Sequence, residues 1–267
     1  MGDLGGSKQS IELDQTTADI CRHDILLTMS SQTTIEEAIT SLIPDRDNYI
    51  VGYADLQDLI IDKYPFRYAV VIGKKMDDSI IDTIVDGPTL EYFNLYNSTN
   101  EELKRIGEQI SSEMNSRGID NHPLVATGDN RERDADYDKN LRYKFSHKMA
   151  ATRAGLGWIG KTDLLISEKF GPRVRFASVL TNHRFSRIGE PITKSKCGSC
   201  NICVESCPAQ AANGKLWNTS VHRDEFYDAH KCRDMCRKLS MNRFQKEATI
   251  CGICVSVCPF GKKKKTG

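Results

Sequence analysis

The sequence predicts an α+β protein in two unequal parts, a mixed α/β body over residues 1–190 and a cysteine-rich module over residues 191–267. Three observations predict it. Nine of the ten cysteines fall between Cys197 and Cys258, with only Cys21 before them. The first part alternates between helical and strand periodicities. A composition of 39% hydrophobic and 27% charged residues suits a globular chain that buries its own core. The boundary is placed near Glu190, just before Pro191.

The elements of the body follow in order. Thr34 and Glu37 have capping-box spacing, and Ile35, Ala38 and Leu42 form the apolar stripe of the helix they open. Tyr68 to Gly73 (YAVVIG) is a short apolar run rich in β-branched residues, the mark of a buried strand ended by glycine. Leu103, Ile106, Ile110 and Met114 recur at three and four, predicting a helix closed by Arg117-Gly118. Leu124 to Thr127 predicts a second strand stopped by Gly128. The charged stretch from Asp129 to Asn140 predicts an exposed loop. His147 to Ala154 reads as a helix with Gly155 beyond its end, Leu164 to Ile166 as a strand, and Arg173 to Thr181 (RVRFASVLT) as another.

No apolar run approaches the roughly 18–20 residues that cross a bilayer. Residues 1–15 have no apolar core of the kind a signal peptide carries, so the reducing cytoplasm is the expected compartment, with no membrane partner. In that compartment clustered cysteines are metal ligands rather than disulfides. The formal charge is +1, but residues 231–267 hold ten Lys/Arg against two Asp/Glu, leaving 1 − 8 = −7 for the rest. A basic end on an acidic body can dock an anionic partner or temper the negative charge of a metal cluster; it equally serves as a solubilising tail ending in Lys262 to Lys265.

Cys197, Cys200, Cys203 and Cys207-Pro208 spell C-x2-C-x2-C-x3-C-P, the bacterial ferredoxin run whose fourth cysteine ligates the other cluster of a two-cluster protein. A tight turn with a cysteine at every third residue delivers three thiolates to one face of a cube. The fourth sits on a new segment stiffened by proline. Cys251, Cys254 and Cys258-Pro259 repeat the pattern with one cysteine fewer, so Cys232 or Cys236 must complete it. Crossing the runs gives Cys197, Cys200, Cys203 and Cys258 to the first [4Fe–4S] cluster. The second takes Cys207, Cys251, Cys254 and one of the upstream pair. Structural zinc would ask for two cysteine pairs instead of a triplet followed by Cys-Pro. Cys21 reads as a small buried apolar residue.

Gly155, Gly157 and Gly160 in AGLGWIGK match the G-x-G-x-x-G dinucleotide fingerprint, but they follow a helix and precede a strand, the reverse of the order that motif requires. They predict instead a tight turn lying against something flat, with Trp158 and Lys161 at its rim, or a plain helix-to-strand turn without a ligand.

These motifs together resemble the epoxyqueuosine reductase family: AGLGWIGK-x-x-LLI, the VLT strand, the first cysteine run, then CG-x-C-x3-CP, over residues 143–260. VGYADL (Val51 to Leu56) and YAVVIG add weaker likeness. The resemblance implies a cobalamin-reductase-like α/β domain, with cobalamin near Gly155, Gly157, Trp158, Gly160 and Lys161, and a two-cluster ferredoxin-like module that passes electrons to cobalt. It implies a tRNA nucleoside epoxide as substrate and an electron donor such as a flavodoxin or ferredoxin. Asp228-Ala229-His230-Lys231-Cys232 matches the family's lone cysteine, which favours Cys232 over Cys236.

Two departures stand out. The position of the family's proton-donating aspartate is Leu141, with His147-Lys148 in place of Glu-Arg; Asp136 or Asp138 are substitutes on the charged loop. The family's helical-repeat extension does not follow the last cysteine. The expected activity is therefore an iron–sulfur, corrinoid-dependent reduction whose substrate need not be tRNA, with tRNA kept as a weaker expectation. The alternatives are a ferredoxin-like electron carrier or reductive activator without substrate chemistry, and a nucleic-acid module with Phe244 and Phe260 to stack on bases.

Overall fold

The computed structural model describes residues 1–2, 33–59, 63–126, 133 and 135–262. Cys21, Thr127, Gly128 and Lys263 to Lys265 lie outside them.

The body is an antiparallel four-stranded sheet in the order β1-β2-β6-β3, made of β1 (Tyr49–Asp55), β2 (Tyr68–Lys75), β3 (Asn121–Leu124) and β6 (Val174–Thr181). The helices before and between them are α1 (Ile35–Ser41), α2 (Asp78–Ile81), α3 (Leu90–Ser116), α4 (Ala135–Asn140) and α5 (His147–Arg153). A two-stranded hairpin, β4 (Gly157–Ile159) and β5 (Leu165–Ser167), separates α5 from β6.

Both faces of the central strands are covered, which is why β2 is apolar throughout instead of alternating. Val70 and Ile72 face α3 with Leu103, Ile106, Ile110 and Met114. Ala69 and Val71 face α5 and the hairpin with Ala150, Ala151, Ala154 and Ile159. Burial of that size, at about 25 cal/mol per Å² of apolar surface, sets the sheet and α3 as the fixed frame.

The capping box at Thr34 and Glu37 forms; Ile39 joins the buried face, and Leu42, half-buried at the C-cap, packs against the same core. α3 ends at Arg117 as the sequence predicts. Three expectations are corrected. β2 continues through Gly73 to Lys75, because a central strand paired on both sides tolerates a glycine. The strand expected at Leu124 to Thr127 lies earlier, at Asn121–Leu124; it is the sheet edge next to β6, where Pro123 leaves no ladder donor missing. Within the charged stretch expected as a loop, Ala135–Asn140 is helical, with no residue buried.

The module follows as α6 (Ile202–Glu205), α7 (Ala229–Phe244) and α8 (Ile253–Val257). Apolar clusters run across the expected boundary near Glu190: Met76, Ile81, Ile84 and Tyr92 pack with Ala248, Ile250, Ile253 and Val255, and Trp217 and Phe226 join the core of the body. Arg173, 1% exposed, fastens the two parts, binding Asp78 at 3.0 Å, Asp82 at 2.6 Å and the Ser256 carbonyl at 3.4 Å. Among the described residues no helix is long and apolar enough to cross a membrane.

Candidate functional site

Nine cysteines of the module are free thiols; eight of them form two groups, and Cys207 follows α6, its N–H donating to the Val204 carbonyl. Cys197, Cys200 and Cys203 come from one turn leading into α6, where the Cys200 N–H donates to the Cys197 carbonyl. Cys258 arrives from the end of α8. These four line one small internal cavity, together with Cys254. Burial pushes the Cys203 thiol up, and the Cys258 thiol to about 11. Thiolates in such a place need a metal to displace their protons.

The second group gathers around α7. Its N-cap Asp228 accepts from the Lys231 N–H, and the helix then presents Cys232, Cys236 and Ser240 one turn apart on one face. The Ser240 hydroxyl is fully buried and bonded to both the N–H and the carbonyl of Ala248, which pins that face against the segment leading to Cys251. The Cys232 and Cys236 sulfurs are 3.9 Å apart. Hydrogen bonds from the Cys236 thiol, and then from the Tyr227 hydroxyl against the cost of burial, pull the Cys232 thiol down to about 7. Cys236 donates to Cys251 as well and is pushed far up. Cys254, half-buried, lies beside Cys232, Cys251 and Cys203, and the loss of solvent around its thiol raises its pKa.

Between the two groups runs the glycine hairpin. Gly155, with φ +69°, stands just past the C-cap Ala154 of α5. Gly157 has its Cα so close to the Ile166 carbonyl that an added Cβ would lie 2.2 Å away, so the hairpin closes only with glycine there. Trp158 and Lys161 are buried, 3% and 4% exposed, not at a rim. Their side chains turn toward the cysteines. The Trp158 indole N–H donates to the Cys197 sulfur at 3.4 Å, and the Lys161 ammonium to Asn201 at 2.7 Å. Gly160 and Lys161 line the cysteine cavity. Thr162 places its hydroxyl on both Cys203 and Cys254, bridging the groups. The reason for the inward turn is the hairpin's size. Two three-residue strands have no room for a core of their own, so Trp158 and Ile166 pack on Cys258 of the module while Ile159 and Leu165 join the core of the body.

A cavity of about 860 Å³ opens on the far side of the hairpin. Apolar side chains dominate its wall, among them Phe145, Met149, Ile159, Leu165, Trp217 and Phe226. The five glycine-turn residues are not among its lining residues; Ile159, Asp163, Leu164 and Leu165 are. Leu141 lines it with φ +53°, an uncommon conformation for leucine, and its carbonyl accepts from Arg223 at 3.0 Å. His147 is held at both ring nitrogens, by the Ser178 hydroxyl at 2.9 Å and the Val125 carbonyl at 2.8 Å. The Lys148 ammonium binds the Asp163 carboxylate at 2.5 Å and its carbonyl at 2.6 Å. Both charges of this pair lie within electrostatic reach of Cys232. Leu164 lines the cavity and packs on the apolar cluster that Cys251 and Cys254 also pack on, which makes the cavity and the second cysteine group neighbours. Asp136 and Asp138 are not on it: Asp136 is exposed and pairs with Lys144 at 3.6 Å.

Sequence reasoning missed Tyr227, Thr162 and the Lys148–Asp163 pair as neighbours of the cysteines. Only the adjacency of Thr162 and Asp163 to the glycine motif was a signal for two of them. A donor set of soft thiolates in two neighbouring groups suits iron–sulfur clusters.

Comparison with known proteins agrees. Residues 196–261 match the 4Fe-4S double cluster binding domain, so the end of the chain is a two-cluster module. The chain is similar to epoxyqueuosine reductases. That of Listeria monocytogenes is 33% identical over 132 residues, which are 45% of this chain and 30% of the relative. The chain spans well under half the length of the first such relatives it matches. A reductive dehalogenase whose structure is described as suggesting a mechanism for B12-dependent dehalogenation aligns with TM-score 0.62 and 18% identity, over 88% of this chain and 33% of that one. An epoxyqueuosine reductase solved with a tRNA-Tyr stem loop aligns with TM-score 0.51 and 18% identity, over 85% and 64%. At these identities the structural likeness establishes a shared fold.

Proposed function

We propose that this chain is an iron–sulfur oxidoreductase that passes electrons through its two [4Fe–4S] clusters to a corrinoid held in the 860 Å³ cavity. The observation that carries the reading is that adjacency: Leu164 lines the cavity and packs on the same apolar cluster as Cys251 and Cys254. The relatives named as epoxyqueuosine reductases and the B12-dependent dehalogenase fold support it.

The first cluster takes Cys197, Cys200, Cys203 and Cys258, and the second takes Cys207, Cys232, Cys251 and Cys254. The broad apolar wall suits one face of a corrin ring, and cobalt there would supply low-potential reduction of the substrate. Gly155, Gly157, Trp158, Gly160 and Lys161 act from the cluster side of the hairpin. They hold the first ligand run and set the separation of clusters and cavity. Lys148, with its ammonium held at the wall by Asp163, is the proton source nearest the reacting space. It takes the part that Leu141, an aliphatic side chain, cannot fill. His147 is fixed between an acceptor and a hydroxyl and orients α5.

Protein purified without oxygen and mixed with cobalamin is expected to shift the corrinoid absorption spectrum and to retain the corrinoid on gel filtration. An unchanged spectrum with no retention overturns the corrinoid reading. Leu141 favours a second reading, an electron carrier without substrate chemistry that relies on a partner such as a flavodoxin or ferredoxin. Substrate reduction by the isolated protein with an artificial donor excludes that one. A tRNA substrate remains within the first reading. It draws on the basic residues of α7, although Arg233, Arg237 and Arg243 are each engaged by Asp234, Glu247 and Asp86.

A further inference from the structure

The second cluster site holds one thiol more than a cube can use. Four irons take four thiolates, and the ligand reading above assigns them to Cys207, Cys232, Cys251 and Cys254. Cys236 is nevertheless 3% exposed, with its sulfur 3.9 Å from that of Cys232 and hydrogen-bonded to that of Cys251. Thiolates on different irons of one cube point away from one another. Two sulfurs in van der Waals contact therefore compete for the same iron.

Helix geometry makes the competition built in. Positions 232 and 236 are one turn apart on the same face of α7. Ser240, the next residue of that stripe, is tied to both backbone groups of Ala248, so the face cannot turn away from Cys251. Cys236 stays beside the second cluster whichever sulfur holds the iron.

We infer that Cys236 is a stand-in ligand of the second cluster, taking the iron that Cys232 releases. This inference rests on the proposed ligand assignment. In the exchange one Fe–S bond breaks and another forms, the Cys236 S–H bond breaks, and its proton passes to the departing Cys232 thiolate. No electron moves. A cluster with two interchangeable thiols at one corner survives the loss or oxidation of either.

The test counts iron and sulfide in the full-length protein reconstituted without oxygen. Cys232→Ala and Cys236→Ala are each expected to keep about eight irons, and the double variant about four. Cys207→Ala, which removes the ligand lent by the other cysteine run, is expected to keep about four. The paramagnetic signal of the reduced first cluster serves as the check on folding. If Cys232→Ala falls to four irons, or Cys236→Ala does, or the double variant keeps eight, the stand-in role is overturned. If Cys207→Ala keeps eight, the ligand assignment itself fails. Should Cys232→Ala lose both clusters, Cys232→Val is read in the same way.

Discussion

The two cysteine groups are built by opposite routes. Three ligands of the first come from seven consecutive residues, Cys197 to Cys203, on a single turn. The second is assembled from α7 and from the turn into α8, which the Ser240–Ala248 bonds hold together. Both groups take the Thr162 hydroxyl from the body, but the first adds the Trp158 indole, also from the body, while the second adds Tyr227 and Cys236 from its own module. A local turn fixes its ligands by backbone geometry. A site assembled from distant segments must be fixed by packing, and there extra contacts and an extra thiol find room.

The largest expected effect separates the groups through one crossed ligand. Cys203→Ser is expected to remove the first cluster and Cys207→Ser the second, each leaving about four of about eight irons, although the two residues are neighbours in sequence. Iron analysis with spectroscopy of the reduced protein tells which cluster is left. Loss of the same cluster in both variants would end the crossed assignment.

A smaller effect concerns the fastening of module to body. Arg173→Gln removes the buried guanidinium that joins Asp78 and Asp82 to the Ser256 carbonyl, at a cost of roughly 2 kcal/mol, the lower side for a buried pair because Asp82 is half-exposed. Burial alone would raise the Asp78 carboxyl, but hydrogen bonds from Lys75 and Arg173 outweigh it and hold the pKa below the usual carboxylate range. A depressed folded-state pKa gives stability that is present above the unfolded value, near pH 4, and lost as the pH falls through the folded one. The wild type should therefore lose stability in acid more steeply than Arg173→Gln, so the gap between their denaturation midpoints narrows below pH 4. A gap independent of pH would contradict the ion-pair account.

The smallest effect sharpens the difference in donors. Trp158→Phe keeps the aromatic packing on Phe260 and removes the N–H that donates to Cys197. A donor to a ligand sulfur stabilises the reduced, more negative cluster. The potential of the first cluster should fall by tens of millivolts, on the order of a lost charge-assisted hydrogen bond shared between two redox states, while that of the second stays put. A redox titration followed by paramagnetic resonance reads both. An equal shift in both clusters would show that Trp158 acts through packing.

What the sequence determined by itself is the chemistry and the frame. Cysteines at fixed short spacing announce cluster ligands because a turn converts spacing directly into geometry. The apolar period of α3 and the β-branched run of β2 announce the sheet and its cover because burial enforces them along the chain. Where the period was misleading, as at Asn121–Leu124, the edge position of the strand decided its register, and edge positions are invisible in a local window. The tertiary structure alone decided which way the glycine hairpin faces. Its motif reads equally well as a ligand turn, yet Trp158, Lys161 and Thr162 point to the cysteines and the large cavity lies behind. Only the packed fold could set Leu164 between that cavity and the second cysteine group, or lay a ninth thiol against Cys232. Such contacts join residues dozens of positions apart, and no spacing along the chain encodes a distance that folding must create.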